Sequence, residues 1–352
     1  MKMYKGKNSS ANVADAIKGL SNPQLIIFTS DADHFDANVA EIEKRFPGVP
    51  SIGCIGMGYD STIQEKGVNI TAFTEGVKVK TGVLETVSSM PARHIKRIEQ
   101  DIEDIKPGKE NTAIIDFCTG NDAAVLTTLR RLVDKFNLQV MGATGDAGKA
   151  SVNGKIYEDA MVYAVIKNEG GRVKTYKENI YEPKDNRQLI ASKTDKAKYF
   201  LGELNGRSAK QVYMDLTGAR TDKEIMDQTF QNPLGKMVGN DVCICSVKDV
   251  SGSGLILYRQ INDSDILTLL EMRDPMEVAQ HTIDKIRNDF SRISGIYSVN
   301  CIFRYLVLSG RGEMDTYLGK IAQLGPSCGL IGFGEHYNTQ FVNQTMTCVV
   351  FE

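Results

Sequence analysis

The residues best suited to chemistry gather toward the C-terminal end, in Ser309-Gly310-Arg311, in Gly332-Phe333-Gly334-Glu335-His336, and at Asn338 and Asn343. A guanidinium at Arg311 grips a carboxylate through two parallel hydrogen bonds, and a carboxylate at Glu335 accepts from an amine. That pair suits an amino-acid-like ligand, with Asn338 and Asn343 adding neutral hydrogen bonds. The bland alternative is that Arg311 and Glu335 pair with each other. Asp146, just past Gly142-Ala143-Thr144-Gly145, joins the same set. Glycines beside these residues let backbone approach a ligand closely. His336 and His34 are placed where an imidazole could ligate, although a solvent-facing turn explains either. His281 falls opposite the apolar stripe of its helix and His94 at a stripe edge, so both read as structural. Cys54, beside Gly53, and Cys118, after Asp116-Phe117, sit at strand ends where a nucleophile can be exposed. No base can be assigned to either.

Familiar motifs fail on inspection. Gly142 to Ala150 has the look of a phosphate-binding loop, but Ala143 and Ala150 stand where glycine and a magnesium-binding hydroxyl are needed. Asn153-Gly154 then signals a hairpin rather than the helix whose N-terminus would hold phosphate. Gly252-Ser253-Gly254 has Leu257 in the third glycine position of the dinucleotide fingerprint. No G-x-S-x-G elbow is present. Cys243 and Cys245 share one face of a strand and read as small buried residues rather than a metal pair.

The elements that must position these residues repeat along the chain. Leu25–Phe28, a helix to Phe46 and Ser51–Gly56 are followed by a strand at 68–73. Ala113–Phe117, a helix over 122–136 and Val140–Gly145 are followed by a strand at 160–166. Cys301–Leu308 as a strand, a helix over 313–323 and Leu330–Gly334 are followed by Thr345–Phe351. Gly53, Gly142 and Gly332 are expected at equivalent turns. Each repeat is thus a strand-helix-strand-strand unit, and the fold class is α/β, with mixed β-sheets flanked by helices in two modules. A strand at 77–87 and a helix at 91–105 lead into the second unit, and 265–272 with 275–293 lead likewise into the third. The charged stretch 178–198 reads as a linker.

Composition narrows the function classes. With 42 basic against 44 acidic residues the net charge is −2, which gives no global attraction to nucleic acid or anionic membrane. No apolar run approaches the ~20 residues of a membrane span, and the N-terminus lacks the apolar core of a signal peptide. Seven cysteines without a CxxC pair point to reduced thiols in a bacterial-type cytoplasm. The four histidines weigh against a multi-histidine metal enzyme.

The combined motifs resemble the FIST-domain proteins, with N-terminal and C-terminal FIST modules in tandem. The resemblance rests on Ile52–Gly56, Met141–Asp146, Leu204-Asn205-Gly206-Arg207-Ser208-Ala209, Asn232–Gly235, Ser309–Arg311, Gly332–His336 and Val342–Thr347. It departs at Met57-Gly58 and at Ala143, where the family often carries Gly-Glu and glycine. It implies an N-terminal extension at 1–22, a first module at 23–180 and a second at 195–352. It also implies a sensory, signal-transducing protein without catalytic activity, binding a small molecule such as an amino acid or related carboxylate. Absent an output module, such a sensor signals in trans through a partner such as a kinase or chemotaxis component. The expected pocket is lined by Arg311, Glu335 and Asn343, with Asn205 or Asp146 contributing. Haem, held by His336 or His34 in a nitric-oxide sensor of the same family, is the alternative, and an enzyme with a Cys54 or Cys118 nucleophile is the third reading.

Overall fold

The structure is a computed structural model that describes every residue except 109, 121 and 240. The apolar runs become buried strands in three successive repeats. The first comprises β1 (Lys2–Asn8), α1 (Val13–Ala16), β2 (Leu25–Ser30), α2 (Phe35–Arg45), β3 (Ser51–Ile55), a hairpin of β4 (Gly58–Tyr59) and β5 (Ile63–Gln64), and β6 (Val68–Glu75). The second has the same order: β7 (Val77–Glu85), α3 (Ile95–Ile105), β8 (Thr112–Cys118), α4 (Asp122–Phe136), β9 (Gln139–Thr144), the hairpin β10 (Ala150–Val152) and β11 (Lys155–Tyr157), and β12 (Ala160–Asn168).

The third repeat opens on β13 (Val173–Asn179) and is interrupted. The interruption contains β14 (Tyr181–Pro183), β15 (Leu189–Asp195), β16 (Phe200–Leu204), β17 (Arg207–Ser208), α5 (Ala209–Thr217), α6 (Asp222–Gln228), β18 (Leu234–Val238), β19 (Asp241–Cys245), β20 (Val247–Ser251), β21 (Gly254–Leu257) and β22 (Ile266–Met272). The repeat then resumes with α7 (Pro275–Asp289), β23 (Gly295–Cys301), α8 (Ile302–Gly310), α9 (Met314–Ala322), β24 (Ser327–Gly332), the hairpin β25 (Glu335–Tyr337) and β26 (Gln340–Val342), and β27 (Thr345–Phe351).

Each repeat builds one mixed sheet. The strand orders are β1-β6-β2-β3-β10-β11, β7-β12-β8-β9-β25-β26 and β13-β27-β23-β24-β4-β5. In each, two strands joined by a helical crossover run parallel, and the last strand of the repeat returns antiparallel beside the first. The hairpins are exchanged in a ring. That of the first repeat completes the third sheet, that of the second completes the first, and that of the third completes the second. One face of every sheet projects into a common core that includes Leu25, Ile27, Phe73, Ile115, Phe117, Val162, Tyr297, Val299, Leu330 and Phe351. The other faces carry helices, as where Ile98 and Ile102 of α3 and Leu129 of α4 cover Ile114 and Val165.

Strand register fixes which glycines correspond. Gly53 faces Phe28 and Ser151, Gly142 faces Asp116 and His336, and Gly329 faces Ser298 and Tyr59. The third counterpart of Gly53 and Gly142 is therefore Gly329, not Gly332. Gly332 matches Gly56 and Gly145 instead, since each repeat carries a Gly-x-x-Gly pair. The expected strand 301–308 is helix α8 from Ile302 onward, and Cys301 ends the strand that precedes it, β23.

Two compact units result: Met1–Glu178 with Ala279–Glu352, and Asn179–Val278. They divide differently from the expected 1–22, 23–180 and 195–352. The first residues supply β1, which pairs along β6 rather than extending away from it. The expected linker at 178–198 supplies β14 and β15, whose one-sided burial (Leu189 and Ala191 in, Ile190 out) hides any sustained apolar period. β22 belongs to the inserted unit, so the counterpart of β7 is β13. The inserted unit is an antiparallel sheet, β19-β18-β22-β15-β16-β21-β20 with β14 and β17 at its side, packed on α5 and α6 through Val212, Tyr213 and Ile225. Ser208 and Thr221 cap those helices.

A Cβ on Gly142 would stand 2.4 Å from both the backbone oxygen and Oδ2 of Asp116. Gly142→Ala is expected to destabilise the fold by at least ~1–3 kcal/mol in urea unfolding. Gly170→Ala, with nothing within 4 Å, should change little.

Candidate functional site

The third repeat's hairpin carries Glu335 and His336 into the second sheet, where both are fully buried. Neighbouring strand residues face opposite ways, so the two side chains enter different layers. His336 points to the helix-covered face. There its Nδ1 lies 2.6 Å from Asp116 Oδ1, reaching across the space that Gly142 leaves open. Cys118, two residues on from Asp116 along β8, shares that face, and its thiol donates weakly to Asp116 Oδ1 at 3.9 Å. Carboxylate, thiol and imidazole donor atoms all lie within 4.8 Å of one another, and all three residues are buried. Asp116 Oδ2 has no hydrogen-bond partner.

Glu335 turns to the other face. Its Oε2 accepts from the hydroxyl (2.9 Å) and backbone N–H of Thr345, while Oε1 is without a partner. Burial pushes this carboxyl up to about 8, against the opposing hydrogen bonds of Thr345 and Cys301.

The matching positions of the third repeat form a second buried polar group. Tyr59, lent by the first repeat's hairpin, places its hydroxyl 2.9 Å from Ser298 Oγ and accepts from Asn300 Nδ2 at 2.9 Å. Asn300 in turn accepts from Arg304 on α8, whose guanidinium pairs with Glu178 and lies over the Tyr317 ring. Arg304 and Glu178 are both fully buried, and their pairing keeps either charge from being stranded.

The other expected site residues are dispersed. Arg311 closes helix α8 rather than a strand, and its Nε donates to Glu313 at 2.9 Å. Glu335 sits instead on a buried strand, so the expected facing of two neighbouring strand ends does not arise. Asn338 forms the β25–β26 turn with φ +53°. It exchanges hydrogen bonds with the backbone of Val140, which secures the hairpin. Asn343 is buried beside the start of β27, with Nδ2 unpartnered. Asp146 is exposed, and Asn205 lies in the inserted unit. His34 is exposed and held by Asp31 at 2.7 Å.

His336 is enclosed against Asp116, His34 lies on the surface, and neither lines any of the three cavities described below. Cys54 and Cys118 are buried, and burial raises the Cys54 thiol far above its usual range. Among the described residues no helix is long and apolar enough to cross a membrane.

Three cavities stand out. A narrow one of about 10 Å³ lies among Tyr59, Ser298, Tyr317 and Ser327 and has room for about one water. An open one of about 410 Å³ is lined by Glu65, Tyr305, Ser309 and Asp315; its carboxylates would repel an anion. The third, of about 270 Å³ and wholly within the inserted unit, is lined by Arg187, Leu189, Asn205, Arg207, Val212, Asp215 and Leu216. Arg207 meets Asp215 at 2.6 Å, and Gln211 and Arg207 together hold the Asp215 carboxyl below its usual range. Asn205, at φ +52°, accepts from Ile190 N–H and donates to the Gln188 oxygen, which shapes the rim.

Sequence reading missed Asp116, Arg304 and Glu178. A charged residue inside Ile114-Ile115-Asp116-Phe117 was the available signal, because a strand buried on both faces admits a carboxylate only with a partner.

Three α/β repeats locked by exchanged hairpins, with an antiparallel unit inserted in the third, define the class. Residues 24–207, from the start of the first repeat's central strands to β17, match the FIST N domain, and the chain belongs to that family. The family is one of sensory domains associated with signal transduction. No curated protein matches the chain.

The Glu335 carboxyl ordinarily titrates near 4.5. Its folded value is raised, so the buried group is tolerated fully below about 4.5. Stability is then lost as pH rises toward about 8, because only the unfolded chain releases the proton. Urea midpoints of the wild type should therefore fall relative to Glu335→Gln between pH 5 and 8. A constant difference across that range would contradict the raised value.

Proposed function

We propose that the protein is a small-molecule sensor whose ligand carries a carboxylate, an α-amino acid being the best match, and whose bound state is read by a partner protein. The observation that carries this is the cavity of the inserted unit, whose lining combines Arg187 and Arg207, the Asp215 carboxylate and an apolar floor of Leu189, Val212 and Leu216. Guanidinium groups take a carboxylate bidentately, Asp215 would take an ammonium, and the floor would take an aliphatic side chain. A volume of about 270 Å³ suits a small metabolite. Asn205 enters this reading as a rim residue, in place of the Arg311, Glu335 and Asn343 grouping. The 204–209 motif, in the inserted unit, and the 332–347 motif, in the third repeat, are proposed as C-terminal features of the same family.

Thermal unfolding with a panel of amino acids and dicarboxylates tests the reading. A ligand at 100 times its Kd should stabilise the folded protein by about 2.7 kcal/mol. Arg207→Ala should weaken it by about 1.5–3 kcal/mol, the worth of a charge-assisted hydrogen bond. A panel in which no carboxylate shifts the wild type more than Arg207→Ala rejects the pocket. A Soret band on haem addition, lost in His336→Ala, would favour the haem alternative.

A further inference from the structure

We propose that Asp116, Cys118 and His336 form a binding site for a borderline divalent cation of the zinc type, enclosed within the repeat unit. One carboxylate oxygen, one sulfur and one imidazole nitrogen lie within 4.8 Å of one another, on side chains with almost no solvent exposure. Imidazole, thiolate and carboxylate together are the donors that zinc, cobalt(II) and iron(II) accept. Hard cations such as magnesium and calcium, which take oxygen donors, are disfavoured by two of the three.

The charges agree. A carboxylate and a thiolate carry two negative charges, so a divalent ion leaves a neutral core, whereas a buried carboxylate otherwise needs a full set of partners. Asp116 Oδ2 lacks one. On loading, the thiol proton of Cys118 passes to solvent and the sulfur becomes a ligand.

Comparison among the repeats supplies an independent argument. At the positions of Asp116, Cys118 and His336, the first repeat has Phe28, Ser30 and Ser151, and the third has Ser298, Asn300 and Tyr59. Both of those hairpins dock without any charged or sulfur donor. Clamping a hairpin therefore does not require the Asp-Cys-His combination, and the middle repeat has assembled it from β8 and from a hairpin more than two hundred residues away in sequence.

Because the site is enclosed, the full chain is refolded from denaturant with cobalt(II) and then desalted. One cobalt per chain is expected, with an intense near-ultraviolet band from thiolate-to-cobalt charge transfer. Cys118→Ala, a small-for-small change verified as folded by circular dichroism, should lose the band and retain at least tenfold less metal, while Cys54→Ala keeps both. Asp116→Asn should also lower retention. Should the variants not fold, the wild type decides alone: zinc added during refolding must raise its unfolding midpoint relative to refolding with chelator. Folded wild type that retains no cobalt or zinc, or Cys118→Ala with an unchanged band and stoichiometry, overturns the site.

Discussion

Close approach across a bare strand position is the constraint on which the repeat unit depends. In the second and third sheets a residue of the first parallel strand reaches a hairpin residue two strands away, over the strand between, and in the first the Phe28 ring fills the same space. At Gly53 an added Cβ would meet the Phe28 ring at 2.3 Å, and at Gly329 it would meet the Ser298 backbone oxygen at 2.0 Å and the Tyr59 ring at 2.5 Å. Glycine is kept here for lack of space, not for backbone freedom, since none of these three has a positive φ. The space it leaves admits three different fillings: the Phe28 ring over Gly53 itself, a carboxylate against an imidazole, and two hydroxyls.

Polar chemistry inside the unit follows from that geometry. The Asp116–His336 and Tyr59–Ser298 contacts both lie in the layer between sheet and helices, while the central core shared by the sheets is mostly hydrocarbon. Glu335 departs from this rule, with a carboxyl fully buried and one oxygen unsatisfied. Desolvation holds it protonated near neutrality, the inexpensive way to keep an acid away from water. The inserted unit places its charges differently. Arg187 and Arg207 remain about half exposed, where a guanidinium stays hydrated until a ligand displaces water.

Much of the repeat was legible because apolar runs and glycine pairs recur at near-equal spacing. The first two repeats emerged with their central parallel strands, helices and return strands in place, while β1 was hidden in an expected extension and the β4–β5 hairpin had no signal. The third was misphased for a physical reason. Ile302-Phe303 and Leu306-Val307-Leu308 are as apolar as a buried strand, and nothing local tells the chain that Arg304 will find Glu178. That misreading put Arg311 on a strand end and moved the glycine register from Gly329 to Gly332. Pairing of Asp116 with His336 was invisible for another reason, since it depends on which sheet the last hairpin joins. The insertion was hidden because its strands are short, alternate in polarity and have charged flanks that imitate a linker.

The ring of exchanged hairpins also sets a timetable for synthesis. The first hairpin, at 58–64, is made early, yet its partner strand β24 spans Ser327–Gly332. At ~5–20 residues per second, a ribosome needs on the order of 13–50 s to make the intervening chain. Until then Tyr59, which ends fully buried, has no strand to dock on. The second sheet waits longer still for Glu335 and His336. Closure of the ring thus waits until β25 and β26 have been made, and the nascent protein must keep its unpaired edges from other molecules in the meantime.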